Sequence, residues 1–335
     1  MARPDVLLVS LGGTAGLRAA DGALAASMRA AGASVATARL IRAREPRTFA
    51  LTDLAWAAPA RRVAAAALRD ARPRAIVYSS STAALLWPEP GAIRFDAPAA
   101  GNRPGRHGIW QRPLERRRFA AAPLLLPWSE GALAEAPSRH GPALVVPVPV
   151  ERSGMPGRRD IAAITYGANP EKKGLDRVLA AWRAARRPGE TLVVAGVGGR
   201  DEDGVRYAGM VAPDEYRALL RRARAFVAAP RREDYGIAQL EALADGCALV
   251  TTAAPGPYAA LPLARALDPH LVVGDAGAGD ALEPAADLAA AIRTAFDDPA
   301  PGYAERAREA LAPWSPAAVD AVVRERLLPA LLAGA

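Results

Sequence analysis

The stretch Ala228–Thr252, AAPRREDYGIAQLEALADGCALVTT, decides the reading of this chain of 335 residues. A strand ends at its start, a short turn carries Glu233 and Asp234, a helix begins near Gly236, and a second strand, Ala248–Thr252, closes it. Strand, turn, helix, strand is the repeating unit of a parallel sheet. Glu233 and Glu241 stand eight positions apart with Gly236 between them. Eight helical residues turn through about 800° and rise about 12 Å. With Glu233 just ahead of the helix, the two carboxylates can face opposite ends of one elongated ligand. The amides of Gly236, Ile237 and Ala238 then become first-turn donors without intrahelical partners, a seat for phosphate. An acidic residue before a helix is also an ordinary cap, and residue types alone leave both readings open.

Outward from that stretch, length and composition bound the rest. A chain of this size exceeds what one core usually fills, so two domains are expected. Apolar residues make up 51% and aromatic residues only 5%, which points to alanine-rich helices packed on short strands. The single Cys247 excludes a disulfide framework and a cysteine metal cluster. His107, His140 and His270 lie far apart and form no metal-ligand spacing. No long apolar run or leader precedes the first strand, so a cytoplasmic protein is expected. The net charge of +8 is uneven: residues 1–150 hold 20 Arg against 10 Asp and Glu, and residues 151–335 hold 23 Lys and Arg against 25. A basic first half calls for an anionic partner, such as an acidic acceptor or the inner membrane face. Its arginines are not interleaved with an aromatic stacking platform, which argues against nucleic acid.

Val6–Ser10 reads as a buried parallel strand, followed by Gly12-Gly13-Thr14-Ala15-Gly16, a helix over Leu17–Ala31 and a strand over Val35–Leu40. This opening is Rossmann-like but not dinucleotide-binding. Its glycine spacing is wrong, and Arg39 stands where an acid would hold a ribose. Arg42–Pro59 is read as irregular or partly helical, Ala60–Asp70 as a helix, and Ala97–Pro113 as a long loop. Ala143–Val150 and the polar run after it form a crossing, and Ile161–Tyr166 opens a second sheet. Lys172 and Lys173 precede Gly174 at a helix start, where cations oppose the dipole unless an anion is near. Pro255–Tyr258 is read as a rigid loop.

The segment EDYGIAQLE, Glu233 to Glu241, with the ALADGCALVTT that follows it, resembles the donor-site segment of the retaining GT-B glycosyltransferases, in particular glycosyltransferase family 4 (glycosyl transferases group 1). The resemblance implies an α/β GT-B fold: two Rossmann-like domains facing a cleft, with a C-terminal helix crossing back to the first. The implied bounds are 1–150 for the acceptor side, 151–312 for the nucleotide-sugar side and 313–335 for the terminal helix. Lys173 matches the lysine that holds the donor diphosphate, with Lys172 beside it, while Ala168 stands near the place of the usual arginine. Glu241 is implied at the ribose and Glu233 at the donor sugar, with Tyr235, Gly236, Ile237 and Ala238 around the donor. Gly12 and Gly13 match the glycine loop of the first domain. Relatives place a histidine after the strand corresponding to Ala92–Phe95; here Asp96 occupies that position, and His107 is the substitute nearby. The implied reaction moves a sugar from a UDP- or GDP-sugar to an acceptor with retention, with no cofactor and no essential metal. The alternative is a catalytically silent sugar or nucleotide binder of the same fold.

Overall fold

Val6–Ser10 is buried at every position and forms strand β1, the centre of the first of two units in the chain. A computed structural model describes residues 3–40, 49–155, 157–274 and 284–333. Contacts divide the chain into unit 1, residues 1–149 with 316–335, and unit 2, residues 150–315.

Among the described residues, unit 1 carries a five-stranded parallel sheet. Its strands are β1, β2 (Val35–Arg39), β3 (Ala75–Tyr78), β4 (Ala92–Phe95) and β5 (Leu125–Pro127), in the order β2-β1-β3-β4-β5. Strand side chains alternate between faces, and each face buries its own core. Leu7, Val9, Tyr78, Ile93 and Phe95 pack with Ala60 and Ala64 of the helix Phe49–Ala71. Val6, Leu8, Val77, Ala92 and Leu126 pack instead with Leu24 and Met28 of the helix Ala15–Ala30. Val319, Val323 and Leu327 join that second core from the C-terminal segment. The expected return of the chain's last helices to the first unit is therefore observed, as Pro316–Val322, one π-type turn Val323–Leu327, and Leu328–Leu332.

Two readings of unit 1 need correction. Residues 49–71 form one helix of 23 residues with Pro59 inside it, where an irregular or partly helical stretch was expected up to Pro59 and a separate helix after it. The alanine-rich flanks and the buried Ala57, Ala60 and Ala64 outweigh the missing amide of one proline. Residues 41–48, the start of that expected stretch, lie outside the described residues. The expected loop 97–113 contains the short helix Ala99–Asn102 and a 3₁₀ turn Gly105–Gly108, and the next helix starts at Gln111 rather than 114. Pro113 falls in its first turn, where no intrahelical N–H bond is lost.

Beneath the carboxyl edge of this sheet lies a buried polar cluster. Asp21 accepts a hydrogen bond from Ser10 Oγ, and Arg94 Nη1 stands 3.6 Å from the other carboxylate oxygen. The Arg94 guanidinium lies 4.7 Å from the centre of the Trp128 ring. Burial pushes the Asp21 carboxyl above its ordinary value, against the pull of Ser10 and Arg94.

Unit 2 carries a six-stranded parallel sheet: β6 (Ile161–Tyr166), β7 (Leu192–Ala195), β8 (Val205–Gly209), β9 (Ala223–Ala228), β10 (Ala248–Thr252) and β11 (Val272–Val273). Its order is β11-β10-β9-β6-β7-β8. The chain runs outward from β6 through β7 to β8, then returns to the other side of β6 and runs outward again through β9, β10 and β11. Trp182, on the helix Leu175–Ala185, is fully buried and donates from Nε1 to Gly204 O at 2.8 Å, fastening that helix to the turn before β8. Beyond the loop Pro255–Tyr258 the structure adds a helix, Ala260–Leu267, that was not read from the sequence. Pro262 in its first turn hid it.

Candidate functional site: the carboxyl edge of unit 2

Reversal of strand order between β6 and β9 makes their carboxyl ends a topological switch point, where loops leave in opposite directions and open a crevice. The loop after β6 begins at Gly167. Asn169 Oδ1 accepts from Lys172 N at 3.2 Å, and Pro170 starts the single turn Pro170–Lys173. Gly174 ends that turn with φ of +60°, and a Cβ there would sit 1.9 Å from Ala229 O. Only glycine permits both the left-handed backbone and this approach. The two switch-point loops are pressed together at that position, and Arg231 N donates to Lys172 O at 3.0 Å.

The loop after β9 is fastened on its other side, where Glu233 N donates to Pro255 O at 3.1 Å. Gly236, with φ of +90°, turns the chain into the helix Ile237–Ala244, and no side chain caps that helix. A Cβ on Gly236 would sit 2.8 Å from the Tyr258 ring.

These constraints bring five charged residues of the two loops together. Lys173 Nζ lies 2.6 Å from Glu233 Oε2, which also accepts from Gln239 Nε2 at 3.0 Å. Lys172 pairs with Asp234 Oδ2, while Arg232 Nε donates to Asp234 Oδ1 at 2.8 Å. Burial opposes ionisation of Asp234, yet Lys172 and Arg232 outweigh it and hold the carboxyl below its ordinary value. The chain has 43 basic residues and only two lysines, both of them here. Where arginine serves everywhere else, two adjacent ammonium groups mark a place that takes compact point charges. A small recess of about 10 Å³, room for roughly one water, lies beside them, lined by Thr165, Tyr166, Lys173, Ala228, Ala238 and Gln239. Gln239 is 2% exposed, and its Oε1 has no hydrogen-bond partner among the described residues.

Glu241 lies further along the helix, 3.6 Å from Arg217 Nη1. Burial raises its carboxyl above the ordinary value; Arg217 opposes the shift and Asp245 adds to it. Arg217 is itself anchored on Asp245 at 2.7 Å. The Tyr235 side chain is 3% exposed and its hydroxyl accepts from Trp314 Nε1 at 3.0 Å, so this residue has its backbone rather than its ring to offer a ligand. Arg232, Gln239 and Arg217 were not singled out in the sequence. The run Arg231-Arg232-Glu233-Asp234 was the available signal, since two cations followed by two anions at a strand end can pair among themselves and with a neighbouring loop.

The other candidates belong to unit 1. Gly12 has φ of +61° and its carbonyl accepts from Arg18 Nη1 at 2.9 Å; Gly13 packs near the Trp56 ring. Asp96 follows β4, half-buried, with Oδ1 accepting from Ala97 N at 2.9 Å. His107 is in the 3₁₀ turn Gly105–Gly108, and its side chain lies outside what is described. Among the described residues there is no group of three or more His, Cys, Asp and Glu arranged to hold a metal.

Residues 160–298 match the family model described as Glycosyl transferases group 1. Glycogen synthase of Mycobacterium tuberculosis (strain ATCC 25618 / H37Rv) is 34% identical over 153 residues, which cover 42% of this chain and 34% of that protein. The chain thus spans about a third of the length of the curated relatives it matches. Sucrose-phosphate synthase from Thermosynechococcus elongatus superposes with a TM-score of 0.79 at 16% identity, over 99% of this chain and 100% of that one. WaaG, a glycosyltransferase involved in lipopolysaccharide biosynthesis, gives 0.69 at 16% identity over 96% and 99%. HepE of Anabaena, in complex with UDP and glucose, gives 0.66 at 14% identity over 97% and 99%. At such identities the structural likenesses speak for the fold, and the family match speaks for unit 2. The chain has the GT-B pair of Rossmann-like units, and its residues 160–298, within unit 2, are related to the glycosyl transferases group 1 family.

Proposed function

We propose that the protein transfers a sugar, with retention of anomeric configuration, from a nucleoside diphosphate sugar to an acceptor. The observation that carries this reading is the pairing of the chain's two lysines with Asp234 and Glu233 at the switch point of unit 2. Lys173, with Lys172, would offset charge that develops on the departing diphosphate. Glu241 would accept hydrogen bonds from the ribose hydroxyls, and Glu233 from hydroxyls of the donor sugar. The bond from the anomeric carbon to the phosphate oxygen breaks, the acceptor oxygen bonds to that carbon on the same face, and the leaving phosphate takes the acceptor's proton. Glu233 has no need to act as a nucleophile: its Oε2 already accepts from both Lys173 and Gln239. The HepE structure holds UDP and glucose, so UDP-sugars head the donor series and GDP-sugars follow.

The test is a screen of UDP- and GDP-sugars with sugar and lipid-linked acceptors, read by product mass. Product formation by the wild type, lost in Lys173→Met and Glu241→Ala, is expected. The second reading, a silent binder, is favoured by Ala168 in place of the usual arginine. It predicts nucleotide-sugar binding without release of nucleotide, with or without acceptor. No described helix is long and apolar enough to cross a membrane; we place the acceptor-side contact, if lipid-borne, at the exposed arginines of unit 1.

A further inference from the structure

A site for an anion needs available cations, yet all three cationic side chains at the switch point are held by carboxylates. Lys173 is on Glu233, and Asp234 takes Lys172 with one oxygen and Arg232 with the other. The carboxylates are sunk, at 5% and 9% exposure, beneath cations that keep 19% to 37% of their surface in solvent. Neighbouring Arg231 is fastened differently. It makes two hydrogen bonds to Asp176, in the first turn of the helix Leu175–Ala185, and one to Glu171 O in the turn before that helix.

Desolvated carboxylates are costly unless paired, and three cations over two carboxylates leave one net positive charge. That is the electrostatic form of an anion site already filled from within. We propose that Glu233 and Asp234 stand in for the phosphates of a diphosphate ligand, holding Lys173, Lys172 and Arg232 until that ligand takes them over. The proposal rests on the donor reading above and adds Arg232 and Asp234 to it. Arg232 supplies the planar guanidinium that grips phosphate through two parallel bonds, a group for which the loop after β6 has only Ala168. Exchange then has a consequence for order. Glu233, released by Lys173 but still held by Gln239 Nε2, becomes able to accept from a sugar hydroxyl once the anion is bound.

The distinguishing feature is the sign of two substitutions. Glu233→Gln and Asp234→Asn remove the internal competitor while keeping the side chain's shape. Both should bind inorganic pyrophosphate, UDP, GDP or ADP about threefold to tenfold more tightly than the wild type by calorimetry, whereas Arg232→Ala should bind them about tenfold more weakly. Arg232→Lys should recover part of that loss. Because the chain has two lysines, a sample labelled with ¹³C and ¹⁵N in lysine shows two ammonium environments. Pyrophosphate should shift both in the wild type, and each carboxamide variant should move its own partner's signal before any ligand is added. If both carboxamide variants bind no more tightly than a wild type that does bind, or if Arg232→Ala binds equally well, the exchange is overturned and the donor reading survives. If wild type and both carboxamide variants bind none of the four probes, the donor reading falls and takes the exchange with it.

Discussion

Glu115 shows how far one buried side chain can make stability depend on pH. It sits 3% exposed in unit 1, accepting from Ala99 N at 2.7 Å, with Ser81, Arg103 and Asp53 around it. Burial drives its carboxyl up to about 7, above the ordinary value that the unfolded chain regains. The folded state therefore binds the proton more tightly. Its stabilising contribution is full below about pH 4.5 and is lost as pH rises toward 7, a loss on the order of 3 kcal/mol. Unit 1 should thus be more stable to urea at pH 5 than at pH 8 as far as this group decides it. Glu115→Gln, which keeps the acceptor for Ala99, should flatten that slope; an unchanged slope in paired urea titrations would count against the assignment. Residue-level reading of the sequence singled out Glu233 and Glu241, whose spacing is local, and Lys173, which stands beside Gly174 at a helix start. It did not reach their partners. Lys173 and Glu233 are 60 positions apart, and only the approach of Gly174 to Ala229 brings them within 2.6 Å.

Elements were legible where a short apolar run met a turn residue, a glycine at β1, β6 and β10 and a proline at β9, and these strands frame the candidate site. They were illegible where proline punctuates a helix. Pro59 and Pro113 ended stretches read as irregular or loop, and Pro262 lay in a stretch given no element, yet each lies within a helix, the last two in a first turn that needs no donor at that position. Glycine turns bear a testable load. Gly174→Ala puts a side chain into the left-handed region and against the Ala229 carbonyl, so the two switch-point loops must part. We expect a loss of about 2–3 kcal/mol in unit 2 together with loss of UDP and pyrophosphate affinity. Urea unfolding and calorimetry on the same preparation separate the two effects. Retention of both stability and affinity would mean that the loops need not touch there.

For the whole molecule, the arginines of unit 1 differ in what holds them, and a hydrogen bond to a backbone carbonyl leaves the charge in place. Of the six arginines between 103 and 118, Arg103 is paired with Asp53, Arg112 donates to Gly105 O and Gly108 O, and Arg118 donates to Leu85 O. Arg106, Arg116 and Arg117 are exposed. At about 1 kcal/mol each near an anionic surface, they support weak, salt-sensitive attachment. Sedimentation with phosphatidylserine vesicles at low salt should exceed that with neutral vesicles and vanish at high salt. Equal recovery from both would remove the membrane contact and leave a soluble acceptor. Deleting residues 316–335 removes Val319, Val323, Leu327 and Leu328 from the second core of unit 1. At roughly 1.5–3 kcal/mol per buried side chain this rivals the stability of a whole domain. Hydrogen exchange should then show β1 and β3 unprotected while β6 and β9 keep their protection. The same arrangement governs birth of the chain on the ribosome. Residues 1–149 emerge with one sheet face covered only in part, by the helix Ala15–Ala30, and the cover is complete only when the segment 316–335, ending 186 positions further on, has been added. At 5–20 residues per second that wait is roughly 10–40 s. Unit 2, contiguous in sequence and tied at its two ends by the hydrogen bond from Val150 N to Trp314 O, has all its residues first. A nascent chain stalled before residues 316–335 are added therefore holds a finished unit 2 and a partly open hydrophobic face in unit 1 for chaperones to meet.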